Sequence, residues 1–478
     1  MTTGFAPRIG SLLLTFILPT IANAAPPAAG YRQINLDSDV RGVASRVDRL
    51  LRSPWGIALS GPGIEQSPAG SFWVANNGGI GWATAYDDLG DEELAERISG
   101  SAWSAGDSMP TGIVHNTTDG FIVGGPGALP SQFLFATEDG TISGWYTDRN
   151  GDILEETVVV VDNSADNAVY TGLAILAPDC CAPFLAAANF HEGFIDTYTD
   201  FFEPLGIPGA FTDPNLPAGY APFNIQVVGS QVFVTYALQN AAKNAPVTGA
   251  GNGIVDIYGL DGHFIKRFAS NGRLNAPWGI ARATRNFGRF SNDILIANFG
   301  DGTINAFNPT TGAFAGQVTN RAGKPIVNPG LRGLTFGAPG SVDANNLYFT
   351  AGLSSGQHGL LGAISANPVA VRADFSVSAS AQEATVKAGE PAKFRLTATP
   401  TDGFEGNVAL SCMAPTGFAC RFDSASIPTT TGEGRATLTV TTPDHGGSGL
   451  PAPRTESILV KAESGETVHT TLLSVTVQ

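Results

Sequence analysis

Only 14% of the 478 residues are charged, against roughly 25% in ordinary soluble domains, and 59 are glycine. A net charge of −16, from 42 acidic and 26 basic residues, repels phosphate backbones and anionic lipid. Nucleic acid and membrane surfaces are thereby disfavoured as partners, and few charges with many glycines suit short strands joined by tight turns.

In chain order, Arg8, an apolar run from Ser11 to Ile21 and Ala22-Asn23-Ala24 read as a secretory signal peptide over residues 1–24. The run is too short to serve as a transmembrane segment. The expected location is secreted or otherwise extracytoplasmic, where the four cysteines can oxidise. A strand-like segment, Tyr31–Leu36, follows.

Six repeat openings come next: Pro54-Trp55-Gly56-Ile57, Pro110-Thr111-Gly112-Ile113, Tyr170-Thr171-Gly172-Leu173, Pro222-Phe223-Asn224-Ile225, Pro277-Trp278-Gly279-Ile280 and Leu331-Arg332-Gly333-Leu334. Their second residues stand 52 to 60 positions apart. A period near 50 in a Gly-rich chain predicts a β-propeller in which each repeat is one four-stranded blade. A second strand in each repeat ends at Asn76, Thr137, Asn189, Tyr236, Asn298 or Ala351, and an Asp-Gly turn often leads to a third. The sixth repeat supplies only three strands, ending at Leu360–Ile364, so Tyr31–Leu36 is expected to complete its blade and close the ring. Residues 25–366 thus read as a six-bladed propeller, 367–373 as a linker and 374–478 as an Ig-like β-sandwich, the fold class being all-β throughout. Cys412 and Cys420 flank a turn-containing segment and suit a disulfide. The adjacent Cys180 and Cys181 fit either a strained vicinal disulfide or two thiols.

The repeated P-x-G-I-A opening, with a strand ending V-A-N and then D-G-T-I, resembles NHL-type propellers. Longer phrases, including Phe135-Ala-Thr-Glu-Asp-Gly-Thr-Ile-Ser-Gly-Trp145, Asn189-Phe-His-Glu-Gly193 and Asn298-Phe-Gly-Asp-Gly-Thr-Ile304, resemble an uncharacterised family of secreted bacterial proteins over residues 31–365. Gly406–Cys412 and Phe418–Cys420 resemble bacterial Ig-like repeats. These resemblances imply fold and export but no reaction.

Propeller geometry places Trp55, Thr111, Thr171, Phe223, Trp278 and Arg332 at one channel mouth, with Glu138, Asp139, His191, Glu192 and Asp301 on turns around it. Trp55, Phe223 and Trp278 could stack on sugars or peptides, with Arg332, Glu138 and His191 as polar ligand-binding partners. Asn76, Asn189 and Asn298 recur in alternate repeats and, with Glu138, could offer oxygens to a divalent cation such as calcium; each Asn capping its own turn is the competing reading. His191-Glu192 lacks the second His of a zinc protease, since position 195 is Ile. Asp148–Asp152 reads as a hairpin turn rather than a calcium loop, and Gly352-Leu-Ser354-Ser-Gly356 lacks the helix that a nucleophile elbow requires. The expected function is a binding or interaction protein, secreted or on the cell surface, whose extracellular ligand is a glycan, peptide or protein. The alternative is a metal-dependent hydrolase, lactonase-like, with its site at the channel mouth and Glu138 or His191 as base. A structural role in the cell envelope is a third option.

Overall fold

The computed structural model describes residues 30–60, 71–79, 81–101, 107–124, 128–146, 156–338, 342–366, 374–401, 404–429, 432–443, 454–465 and 467–478. The expected signal peptide 1–24, the linker 367–373 and the Asp148–Asp152 turn lie outside them. The chain divides into two compact units, Met1–Asn367 and Pro368–Gln478. Both are built of strands.

In the first unit β1 (Arg32–Ser38) precedes six groups of strands. The first group is β2 (Pro54–Leu59), β3 (Phe72–Asn76), β4 (Trp82–Tyr86) and β5 (Glu92–Arg97); the second is β6 (Pro110–His115), β7 (Phe133–Thr137), β8 (Thr141–Trp145) and β9 (Val158–Asp162). The third is β10 (Tyr170–Leu176), β11 (Phe184–Asn189) and β12 (Phe194–Thr199), and the fourth β13 (Tyr220–Val228), β14 (Gln231–Leu238), β15 (Ile254–Tyr258) and β16 (Phe264–Ser270). The fifth is β17 (Pro277–Arg282), β18 (Ile294–Asn298), β19 (Ile304–Phe307) and β20 (Phe314–Gln317); the sixth is β21 (Leu331–Phe336), β22 (Leu347–Ala351) and β23 (Leu360–Ser365). Each group is one antiparallel sheet with its strands in sequence order. The sixth sheet gains β1 as its outer strand, with Arg32 opposite Ser365 and Ser38 opposite Leu360, as the sequence led us to expect.

Hydrophobic cores lie between successive sheets. Trp73 of the first packs on Phe133 of the second with ring centroids 4.6 Å apart, and Phe72 packs on Tyr348 of the sixth at 4.1 Å. Each sheet shares one core with the sheet before it and another with the sheet after it, the last pair being the sixth and the first. Burying each such aromatic contributes on the order of 1.5–3 kcal/mol.

The opening glycine permits the closest approach between sheets. A Cβ on Gly56 would lie 2.6 Å from the Thr111 oxygen, one on Gly112 2.6 Å from the Leu173 nitrogen, and one on Gly333 2.7 Å from the Trp55 oxygen. Gly172 and Gly279 face Asn224 and Arg332 just as closely. At the one opening without glycine, Asn224 donates its amide to the Trp278 carbonyl at 3.0 Å. Thus β2, β6, β10, β13, β17 and β21 lie side by side and meet in a closed circuit.

The second unit contains two sheets. One orders β24 (Asp374–Ala379), β26 (Ala392–Thr401), β30 (Gly434–Thr441) and β28 (Ala419–Phe422); the other orders β25 (Glu383–Val386), β32 (Thr467–Val477), β31 (Arg454–Ser464), β27 (Asn407–Met413) and β29 (Ser426–Pro428). Alternate residues such as Leu396, Leu438, Val408 and Val460 enter one shared core. Cys412 and Cys420 form a disulfide, Cα atoms 6.3 Å apart, that joins β27 of one sheet to β28 of the other.

Candidate functional site along the strand circuit

Every first strand carries an irregularity at the same place. Between Pro54 and Ile57, and at the five equivalent positions, one extra residue is inserted relative to the second strand. Such bulges re-aim a side chain. Here they involve Trp55, Thr111, Thr171, Phe223, Trp278 and Arg332, the very residues that sequence placed at one mouth. Trp55 meets Phe223 at 6.1 Å and Trp278 at 6.0 Å, both edge to face. Trp278 Nε1 donates to the Thr171 carbonyl at 2.9 Å, and Thr111 Oγ1 to the Tyr170 carbonyl at 2.7 Å.

The three rings form a sealed layer rather than an open stacking platform: Trp55 is 5% exposed, Phe223 1% and Trp278 4%. The bulges turn the rings against one another, leaving little face for a sugar. Arg332, only 6% exposed, holds its guanidinium carbon 4.3 Å over Trp55 and 5.0 Å from the Phe299 ring centroid.

Residues at or just past the second-strand ends are Asn77, Glu138, Phe190, Ala237, Phe299 and Gly352, of which Phe190, Ala237 and Phe299 pack with the three rings. Asn77 Nδ2 donates to Glu138 Oε2 at 2.9 Å. Burial pushes the Glu138 carboxyl up, against the pull of Asn77 and the Arg332 charge. Arg332 is pushed down to about 10, chiefly by burial, with Glu138 opposing.

The remaining candidates serve local structure. Asn189 Oδ1 accepts the Val169 and Glu192 backbone N–H groups at 3.3 and 3.2 Å, and Asn298 Oδ1 accepts that of Asn275 at 3.1 Å. Asn76 Nδ2 bonds Thr84 Oγ1 at 2.8 Å while its buried Oδ1 has no partner. Two of the three amide oxygens are thus committed to backbone N–H groups, Asn189 in its own turn and on the preceding loop, Asn298 on the loop before β17 alone. Among the described residues, no cluster of three His, Cys, Asp or Glu side chains could hold a metal. The His191 ring faces Glu192 at 4.0 Å and bonds none of the other candidates. Asp139 accepts Ser101 N–H at 2.9 Å, and Asp301 accepts from Thr303 at 2.6 Å. In the Gly352–Gly356 turn, Ser354 and Ser355 are both left-handed, with φ of 50° and 58°. Cys180 and Cys181 are free, exposed thiols.

Sequence reasoning missed a cavity of about 230 Å³ on the downstream side of the aromatic layer. It is lined by residues one to four positions beyond the bulges, including Gly56, Ile113, Leu173, Asn224, Gln226 and Leu334; of the bulge layer only Trp278 reaches it. Exposure rises along the strands away from that layer, so Ala58, Val114, His115, Gln226 and Thr335 mark the accessible end. The first strands are sheet edges and present unpaired backbone groups to this space. Gln226 Oε1 satisfies one of them, accepting Ile280 N–H at 3.2 Å. Burial lowers the His115 pKa and favours its neutral ring. The missed signal was positional: sheet edges facing one axis, which no motif spells.

These features define an all-β protein of repeated small sheets arranged around a common cavity. No protein-family model matches the chain. It is 34% identical over 330 residues to an uncharacterized protein of Acanthamoeba polyphaga mimivirus, covering 67% of this chain and 76% of that one. A second uncharacterized protein of the same virus is 31% identical over 328 residues, covering 67% and 82%. The chain belongs to the family that these proteins represent. Among solved structures, a putative phosphatase from Bacteroides thetaiotaomicron shares 11% identity at a TM-score of 0.43, covering 70% of this chain and 75% of that one. A mutant α-L-arabinofuranosidase from Fusarium graminearum shares 10% at 0.40, covering 65% and 92%. Likeness at this level assigns no activity.

Proposed function

We propose that the first unit is a six-bladed, NHL-like β-propeller, the second an Ig-like sandwich, and the whole an exported binding protein that takes a small, uncharged, hydrogen-bonding ligand in its axial cavity. The circuit of six first strands and the six intervening cores support the propeller. The Cys412–Cys420 disulfide and the apolar segment Ser11–Ile21 support export.

One observation carries the ligand reading. The cavity wall combines aliphatic side chains and exposed strand edges with Asn224, Gln226, His115 and Thr335, and no charged residue lines it among those described. Such a wall orients a neutral molecule through directional hydrogen bonds and gives an ion no counter-charge. A thermal-shift screen of small neutral metabolites should find compounds that raise the melting temperature, and Gln226→Trp, which obstructs the accessible end, should abolish their effect. The reading fails if no compound acts on the parent or if active compounds act equally on Gln226→Trp.

A further inference from the structure

Arg332 occupies a position that its interactions do not explain. Its side chain is more than nine-tenths buried, with the guanidinium carbon 4.3 Å over the Trp55 ring and Phe299 close by. Nη1 makes one long bond to the Pro54 carbonyl, at 3.5 Å. Nε is buried without a partner, and no bond reaches Nη2 from the described residues. A guanidinium offers five N–H donors in one plane, and its Nε–Nη2 edge matches the two oxygens of a carboxylate. The rings hold the guanidinium in place, and its Nε donor is left unsatisfied. Gly352 makes the arrangement possible, because a Cβ there would strike Nη1.

The nearest influential acid, Glu138, lies close enough for the two charges to be felt but beyond ion-pair contact. It retains partial solvent access although burial acts strongly on its carboxyl, the combination expected at the bottom of a recess. One of its oxygens accepts from Asn77, leaving the other available. We propose that Arg332 and Glu138 form a subsite for a small carboxylate that also carries a hydroxyl or ammonium group. The ligand carboxylate docks side-on against Arg332 and its donor faces Glu138. Placing a like charge nearby, Glu138 disfavours a dianion such as phosphate. Neither Arg332 nor Glu138 lines the axial cavity, so the two sites can be tested separately.

The test uses the full chain at neutral pH with lactate, propionate, glycerol and inorganic phosphate as probes, in calorimetric titrations and thermal shifts at matched ionic strength. Lactate should bind at least about tenfold more tightly than propionate, and both more tightly than phosphate or glycerol. Arg332→Lys, which keeps the charge and removes the fork, should abolish carboxylate binding. Glu138→Gln should erase the preference for lactate over propionate while Gln226→Trp leaves both intact. Tighter binding of phosphate, equal shifts with glycerol, or undiminished binding by Arg332→Lys would overturn the proposal. If Arg332→Lys does not fold, the parent still decides: lactate should change the tryptophan emission through Trp55 where glycerol does not, and identical spectra count against the subsite.

Discussion

At the scale of single residues, the short opening phrase performs two jobs that sequence alone presents as one. Its glycine allows neighbouring backbones to meet, and its preceding residue is the bulged one. Gly112→Ala should destabilise the first unit by about 1–3 kcal/mol in urea unfolding, because the new methyl meets the Leu173 nitrogen and the Gly172 backbone. Gly206→Ala, with nothing nearby and no positive φ, should be neutral or slightly stabilising. Equal losses at both sites would refute the close-approach argument. The repeat was legible because this requirement recurs at five of the six openings. The state of the side chains was not: the sequence shows Trp55, Phe223 and Trp278 at one level, but an open rim and a packed layer require the same residues. The asparagines illustrate the same limit, since Asn189 and Asn298 spend their oxygens on backbone groups that only the folded turns bring within reach.

At the scale of elements, β1 and the disulfide are the informative pieces. Deleting residues 31–36 should expose the edge of β23 and lower the melting temperature of the whole first unit; an unchanged temperature would refute a closed ring. Within β1, Asp37 is 2% exposed and its Oδ1 accepts the N–H groups of Ser38 and Asp48, at 2.5 and 2.9 Å. Burial outweighs those bonds and raises its pKa to about 7. Folded Asp37 therefore retains a proton that the unfolded chain releases near pH 4, so its contribution to stability is most favourable below that value, declines as pH rises toward about 7 and then levels off. Burial moves Asp256 in the same direction, also to about 7. Asp37→Asn keeps an acceptor and should reduce the stability difference between about pH 4.5 and about pH 8 by roughly 2–4 kcal/mol, read from urea midpoints. An unaltered pH slope would show that Asp37 is not its source. The disulfide pairing was legible from spacing, but not its role: it joins strands of opposite sheets rather than neighbours within one. Replacing both Cys412 and Cys420 with Ala should cost about 2–3 kcal/mol in the second unit, and a variant as stable as the parent would deny the bond a structural role.

At the scale of the molecule, the cavity is lined by the first strands of all six sheets, so the proposed binding site belongs to no single repeat. Sequence could identify that convergence and its cast of residues, including Arg332 and Glu138. It could not reveal that the three rings pack into one layer, with an uncharged cavity downstream of it and, beside Trp55, a buried guanidinium whose Nε has no partner. The seam formed by β1 and β23 also governs the order in which the ring is made. Ser38 donates to the Gly359 carbonyl across a separation of 321 residues, so the earliest strand waits for almost the entire first unit to be synthesised before finding its partner. Until then one sheet edge is exposed and the entropy cost of closing so long a loop is unmet, so late closure is the expected slow step of folding, which refolding kinetics of the parent and of a chain lacking residues 31–36 would check. A chain halted before β23 would be left as an open arc with an unpaired edge, a form prone to joining another copy.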